Sequence, residues 1–342
     1  AGDRLRARWV MWTLTSTVRI LRDQATRALY WFGRSDLEGI FALTIESLVV
    51  NDAYVGERML AASYGIVMSL GEKNSDAGLH LKLFLKQLSN ALVGESASVP
   101  THHYLAQLYV RGIVGFAEKF YPATLPDALL GHWAFASPPP VEIIAEGDSR
   151  LKEAENTLRM DFKNYTLGRL FDDRNNYDMK HKGHQMAVAH VRGVVWALGW
   201  RAAHFSTLDD QIASEGYRGG RGNRPTAERY GKKYSWIGFY TYAGLLHENE
   251  RLRHGTHEFS DVDIDPSFPE RPPTDGDSSI SQEWLLPGVK SHEKWLVENT
   301  TTLPNSLIRR ERIHGQSGPW VAVHGHVSAV DRVLGRRVWA FV

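Results

Sequence analysis

Apolar residues recur at three- and four-residue spacing through residues 1 to 135, which is the period of an amphipathic helix. The spacing predicts five successive helices. Their predicted inward residues are Leu21, Ala25, Ala28, Leu29 and Phe32; Leu37, Ile40, Phe41, Thr44, Ile45 and Leu48; Val55, Met59, Ala62, Ile66 and Leu70; Leu79, Leu83, Leu88 and Leu92; and Tyr104, Leu108, Ile113 and Phe116. The predicted N-caps are Asp36, Asp52, Asp76 and Thr101, because each offers a side-chain oxygen just before a helical segment.

Two of the predicted helices resemble each other in sequence. Residues 21–29 and residues 51–62 each place an Asp, a small or β-branched residue, an Arg and then an Ala. The pattern is similar to the second helix of a HEAT-type repeat, in which the Asp caps the helix and small residues allow close packing. Stacked helix pairs form a solenoid with a long concave binding face. We therefore predict a HEAT-like α-solenoid over residues 1–136, with an irregular helical bundle as the alternative.

A domain boundary is predicted at Ser137-Pro-Pro-Pro-Val141, because three prolines cannot continue a helix. Residues 137–270 are predicted to form a mainly helical middle domain. Its expected elements are a short helix over residues 148–158, a segment at 161–170 that fits a strand and a helix equally well, a helix over 185–205 and a further turn or two over 208–213. The inward residues of the long helix are predicted to be Val188, Val191, Val195, Trp196 and Leu198.

The stretch from Ala227 to His247 begins basic and then becomes aromatic, with helical spacing from Tyr234 onward. Residues 271–342 are predicted to be a small β-containing segment, because residues 320–327 alternate with period two and residues 337–342 are strand-like. The strand-like run reaches the last residue, and no initiator Met is present. We therefore expect the chain to be an internal part of a longer protein, with its last segment truncated.

The composition excludes several classes of function. The hydrophobic fraction of 43% and charged fraction of 23% are those of a globular protein. A net charge of +1 means that attraction to nucleic acid or membrane must come from a local patch. The lack of cysteine excludes disulfides, thiolate catalysis and cysteine zinc sites, and it fits a reducing cytoplasm. No apolar run of about 18 residues occurs, so no membrane-spanning helix is expected.

Sequence motifs for catalysis are missing from the chain. It contains no Gly-x-x-x-x-Gly-Lys-Ser/Thr, Gly-x-Ser-x-Gly or His-Glu-x-x-His. Asp178, His181, His184 and His190 have short spacings that zinc sites use. Neighbouring lysines oppose a cation there, so we interpret these histidines as surface residues. The sequence therefore predicts no catalytic residue, no metal site and no cofactor.

A basic loop, residues 216–233, is the strongest candidate for chemistry. Its cations are Arg218, Arg221, Arg224, Arg229, Lys232 and Lys233. Glu228 is the only acidic residue between Arg218 and Lys233. Tyr230 lies between two of the cations, and Tyr234 follows Lys233 directly. Cations with aromatic rings on a glycine-rich segment suit phosphate contact and base stacking. The alternative is that these arginines pair with Asp172, Asp173 and Asp209 of the same domain.

Residues 161–268 resemble a region in the C-terminal parts of very large bacterial proteins. The resemblance rests on residues 161–170, 176–178, 195–199, 229–237 and 265–268. Those proteins look like signal-transducing NTPases of antiphage defence, in which helical repeats precede this region. The resemblance implies a place in such an architecture and carries over no catalytic residue.

The sequence thus favours a non-catalytic recognition or scaffold module of a larger multidomain bacterial protein. The expected ligand is another protein, held on the concave face of the helical repeats, and the other domains of the parent chain are expected neighbours. The alternative function is nucleic-acid binding through the basic loop.

Overall fold

A computed structural model describes residues 2–70, 75–144, 147–155, 157–159, 162–171, 178, 180–218 and 227–252, together with strands at 285–286, 326–331 and 336–341. The chain divides into two compact units, Ala1–Glu270 and Arg271–Val342. The prediction of a mainly α-helical protein is confirmed.

The first unit contains ten described α-helices. They are α1 Gly2–Thr13, α2 Arg19–Ser35, α3 Leu37–Leu48, α4 Ala53–Met68, α5 Ser75–Leu92, α6 Tyr104–Phe120, α7 Ser149–Glu155, α8 Lys182–Ala197, α9 Ala202–Arg218 and α10 Tyr230–Glu248. Short 3₁₀ turns occupy Pro122–Thr124, Asp127–Leu129 and Leu167–Leu170, and Phe162–Thr166 is a π-helical turn. The only β pairing found in the described part of residues 2–135 is an isolated bridge between Val93 and Phe135.

The helix starts follow the capping chemistry of the sequence in two of four cases. Asp36 accepts a hydrogen bond from Gly39 N, and Asp52 accepts one from Tyr54 N, so both predicted caps are confirmed. Thr101 instead accepts from His103 N, and the His103 ring caps α6 by accepting from Ala106 N. Asp76 lies inside the first turn of α5 rather than ahead of it.

Helix α4 lies at the centre of the first buried cluster. Val55, Met59, Ala62 and Ile66 are all buried as predicted, and so is every other residue from Tyr54 to Met68 except Arg58. Helices α1, α2, α3 and α6 pack around it. A helix that is buried on all sides presents no face to solvent. No open concave surface therefore runs along α4.

The predicted inward faces of α2 and α5 are partly wrong. Leu21, Leu79 and Leu83 are exposed, as is Ala28, whereas Thr26, Leu81 and Phe84 are buried. In α5 leucines occur at every second residue from 79 to 85, so spacing alone leaves two possible faces. Packing on α3 decides between them, because Phe84 stacks on Phe41 with ring centroids 4.1 Å apart.

A second buried cluster, drawn from residues 158–252, forms around α8 and α10. The predicted helix over residues 185–205 is two helices, because Gly199 has a φ of +88° and turns the chain between α8 and α9. Trp196 and Leu198 near this turn are only half-buried, whereas Trp200 is fully buried. The segment at 161–170 forms helical turns and no strand.

The helices of the first unit are arranged in neighbouring rows. α1, α3 and α5 pack side by side, as do α2, α4 and α6, and α10 packs on both α6 and α8. Tyr240 of α10 contacts both buried clusters. The boundary at residues 136 and 137 remains a prediction.

The second unit is described at three strands, β1 Leu285–Leu286, β2 His326–Asp331 and β3 Arg336–Phe341. β1 pairs parallel to β2, and β2 pairs antiparallel to β3 with His326 opposite Phe341. Residues 320–325 of one predicted strand lie outside the described residues, and the other predicted strand overlaps β3.

Candidate functional site: a buried polar seam and an exposed aromatic face

Lys233, one of the predicted phosphate contacts, is buried in the structure. Its ammonium nitrogen lies 2.5 Å from the Asp52 carboxylate and donates to the Thr15 carbonyl oxygen at 2.7 Å. Only 2% of Lys233 is exposed. The Lys233 charge is thus matched by the acidic cap of α4 and does not face solvent.

A second buried pair joins the start of α10 to α2. The Arg22 guanidinium lies 3.1 Å from the Glu228 carboxylate and 4.7 Å from the centre of the Tyr54 ring. Lys232 also pairs with Glu228, at 2.9 Å. Burial alone would raise the pKa of Glu228, but the hydrogen bonds and charges of Lys232 and Arg22 outweigh it and lower that pKa.

The carboxyl end of α10 meets the start of α6. Glu248 lies 2.8 Å from Nδ1 of His102 and accepts a hydrogen bond from Gln107. A Cβ built on Gly244 would lie 1.6 Å from the His102 carbonyl oxygen, so only glycine fits there. Helix α10 therefore runs past the starts of α2, α4 and α6, and we call the ionic contacts along it, from Arg22 to Glu248, the polar seam.

Two buried ionisable groups face each other beside this seam. Nε2 of His103 lies 3.6 Å from the Glu57 carboxylate, and both side chains are almost completely buried. Burial lowers the pKa of His103 to about 4 and raises the pKa of Glu57. Burial disfavours the charged form of both side chains. We therefore interpret this contact as part of the buried packing and not as an activated acid–base pair.

The remaining residues of the predicted basic loop are distributed over several places. Arg229 is the N-cap residue of α10. The rings of Tyr230 and Tyr234 pack near the Phe205 ring, with centroids 5.3 and 6.1 Å from its centroid. Arg218 is the last residue of α9, and Arg221 and Arg224 lie outside the described residues. Arg229, Tyr230, Lys232, Lys233 and Tyr234 thus gather at the start of α10, whereas the structure does not place the other predicted arginines beside them.

Asp209 contributes to α10 in a way that the sequence did not predict. Its carboxylate accepts hydrogen bonds from the backbone N–H of Tyr230 at 2.6 Å and of Gly231 at 2.8 Å. A carboxylate at a helix start satisfies free N–H groups and matches the helix dipole. Asp209 therefore anchors the first turn of α10, and Asp172 and Asp173 lie outside the described residues.

The interpretation of the histidines as surface residues is wrong for His184 and His190, which are buried, whereas His181 is half-buried. His184 and His190 are 1% and 7% exposed, and burial lowers the pKa of His190 to about 4. His181 caps α8 by accepting from His184 N. No group of three or more potential metal ligands occurs among the described residues. His184 and His190 thus contribute to the packing of α8, and His181 contributes its cap.

An open cleft of about 480 Å³ lies where α2 ends and α3 begins, and Asp36 and Glu38 are among its lining residues. Arg4 donates to Asp36 at 2.6 Å and also pairs with Glu38. The hydrogen bond from Arg4 lowers the pKa of Asp36, which also caps α3. Two of the three carboxylates that line this cleft, those of Asp36 and Glu38, are therefore already paired with Arg4.

Exposed apolar and aromatic side chains that the fold does not bury lie on α1 and α2, two helices that pack against each other. We define the outer face by Leu5, Trp9, Trp12, Ile20, Arg27 and Trp31. Trp9 is 72% exposed and Trp31 is 62% exposed, and all three exposed tryptophans of the described residues belong to this face. On α1 these residues lie opposite the buried Ala7 and Met11. Exposed aromatic residues grouped on neighbouring helices typically mark a binding surface.

Sequence reasoning missed the outer face although its signal is present. Leu5, Trp9 and Trp12 have the i, i+4, i+7 spacing of one helical face. The prediction began its helices at Leu21 and so did not assign α1. In addition, spacing identifies an apolar face without telling whether that face is covered.

No helix of the described part is long and apolar enough to cross a membrane. Comparisons with protein families, with curated proteins and with solved structures found no match for this chain.

Proposed function

We propose that this chain is a protein-recognition module of a larger multidomain protein, without catalysis of its own, and that the outer face of α1 and α2 is its binding surface. The observation that carries the proposal is the exposure of Trp9, Trp12 and Trp31 on two neighbouring helices. Tryptophan is enriched among the residues that dominate protein–protein binding energy.

The outer face replaces the concave face as the expected binding surface. A partner on a concave face would need exposed residues along α4, and that helix is enclosed from Tyr54 to Met68. The polar seam is likewise occupied by internal pairs, such as Lys233 with Asp52 and Arg22 with Glu228. The outer face, in contrast, carries the three exposed tryptophans of the described residues, and the fold does not bury them.

The setting that we propose follows the sequence resemblance. It is a cytoplasmic antiphage-defence protein of the signal-transducing NTPase type, in which HEAT-like helical pairs carry recognition and another domain carries the chemistry. The side-by-side rows of helices are compatible with repeats, and the absence of cysteine fits the cytoplasm.

Site-specific photo-crosslinking in cells tests the proposed function. A photoreactive phenylalanine would replace Trp9 or Trp31 in the full-length protein, and the same residue would replace Leu79 or Leu83 as matched controls. Those leucines are 69% and 54% exposed but lie on α5. We expect one defined protein adduct from positions 9 and 31, confirmed with the purified partner, and none from the controls.

Two results would contradict the proposed function. The first is crosslinking that is equal at the outer face and at α5, since exposure alone would then explain it. The second is catalytic turnover by the purified chain. Crosslinking to nucleic acid in place of protein would instead favour the alternative function.

A further inference from the structure

The exposed side of α2 corresponds to the side by which α4 and α6 each pack against the preceding helix of the row. To compare these helices, the position of each residue around its helix is given as an angle from the cap residue. From the cap residue of each helix, every residue advances by about 100° around the axis. Tyr54 of α4, two residues after its cap, lies at about 200° and contacts Arg22 of the preceding α2. Ile66 of α4 faces Gly33 of α2 from about 320°.

Helix α6 repeats this arrangement against α4. Tyr109 and Gly112, at about 240° and 180° from the cap residue His103, both contact Tyr64 of α4. The side that each helix turns toward its predecessor therefore spans about 180° to 320°.

The exposed residues of α2 fall within the same range. Ile20, Arg27 and Trp31 lie at about 200°, 180° and 220° from the cap residue Val18. In α4 and α6 this side is covered by the preceding helix, whereas Ile20 and Trp31 are 66% and 62% exposed. The exposed side of α2 is thus the side that a neighbouring helix covers in α4 and α6. Another helix would therefore fit against it.

The charged residues of α2 indicate which side chains the complementary helix should carry. Arg27 and Arg34, seven residues apart, line one edge of the exposed side of α2 and are both exposed. No acidic side chain among the described residues pairs with either one. An occupant with carboxylates along the facing edge would complement both charges.

We propose that the outer face binds an amphipathic helix of a partner protein, with an apolar stripe that covers Ile20 and Trp31 and an acidic edge opposite Arg27 and Arg34. This inference rests on the proposed protein-recognition function and adds the chemical class of the partner. Helix-in-groove binding of this kind places side chains at i, i+3, i+4 and i+7 on the receiving surface.

A synthetic peptide tests the inference directly. The probe is a dye-labelled, capped 18-residue helix of Leu, Ala and Glu, with a leucine stripe and one glutamate edge. One control peptide has the same composition in scrambled order, and a second has Lys in place of every Glu. Fluorescence anisotropy with the purified full chain measures the Kd of each peptide.

The protein variants have matched controls on the same chain. We expect the variant Trp31→Ser to weaken binding of the Glu peptide about tenfold or more, because tryptophans that become buried on binding dominate such interfaces. The double variant Leu79→Ser/Leu83→Ser should leave the Kd within about twofold, because those positions lie outside the outer face. Arg27→Glu should weaken the Glu peptide and strengthen the Lys peptide.

Several outcomes would overturn the inference. They include equal binding of the scrambled peptide, no binding of any peptide, and a Kd unchanged by the tryptophan variant. Sedimentation of the chain without peptide measures its oligomeric state. A dimer that the tryptophan variant abolishes would show that a second copy of the chain binds this face. Binding of a labelled RNA oligonucleotide that is lost in the same variant would assign it to nucleic acid. Peptide failure together with site-specific protein crosslinking would reject the helix but keep the proposed function.

Discussion

At the scale of single residues, Gly244 determines how closely α10 can approach α6. A methyl group at this position would lie 1.6 Å from a backbone carbonyl oxygen, which cannot rotate away as a side chain can. We therefore expect Gly244→Ala to lower the free energy of unfolding by about 1–3 kcal/mol or more, because overpacking forces backbone shifts.

Gly115 provides the matched control for this prediction. It also lies inside a helix, but a Cβ built there meets nothing within 4 Å. Gly115→Ala should raise the free energy of unfolding by about 1 kcal/mol, because alanine has the higher helix propensity. Urea denaturation measures both variants, and equal effects of the two substitutions would contradict the packing at Gly244.

Contacts between residues that are close in sequence were predictable, whereas contacts between distant residues were not. The caps Asp36 and Asp52 were predictable, because capping depends on a side chain and the backbone two or three residues away. The burial of Lys233 was not, because its partners Asp52 and Thr15 are 181 and 218 residues distant along the chain. Within its own segment Lys233 is indistinguishable from Lys232, whose side chain is 43% exposed.

At the scale of helices, the burial of His103 at the start of α6 couples stability to pH. His103 has a pKa of about 4 in the folded protein and an ordinary value of 6.5. The unfolded chain therefore binds more protons between these values, so the free energy of unfolding falls as pH drops below 6.5. The loss due to this residue should reach about 2 kcal/mol between pH 7.5 and pH 5.

The variant His103→Asn isolates this effect, because asparagine also caps helices and does not titrate. Wild type should lose about 2 kcal/mol more than His103→Asn over this pH range, measured by urea denaturation. Glu57 acts with the opposite sign, since its raised pKa gives stability that is lost as pH rises, but it is present in both proteins. Parallel curves of unfolding free energy against pH for wild type and His103→Asn would refute the assignment.

The sequence predicted the helices more accurately than their boundaries and faces. Helix α4 was predicted correctly because its apolar residues are bounded by a cap and a turn. Residues 185–205 were merged into one helix because apolar spacing continues across Gly199, and only its positive φ separates α8 from α9. A lone glycine inside a periodic pattern does not reveal its backbone conformation.

At the scale of the whole molecule, the polar seam makes residues 1–136 dependent on the helices that follow. Without α10, Arg22 would lose Glu228, and Asp52 would lose Lys233. Removal of one member of a buried ion pair costs about 3–5 kcal/mol. We therefore expect residues 1–136 alone to melt well below residues 1–270, followed by circular dichroism.

Residues 1–270 and the full chain should have nearly the same helical melting temperature, because both buried clusters lie within residues 7–252. Tyr240 packs against both clusters, so the helical unit should unfold in a single transition. A fragment of residues 1–136 that melts with 1–270 would show instead that the predicted solenoid is an autonomous domain. That result would also make the outer face available for study on the shorter fragment, since all its residues lie on α1 and α2.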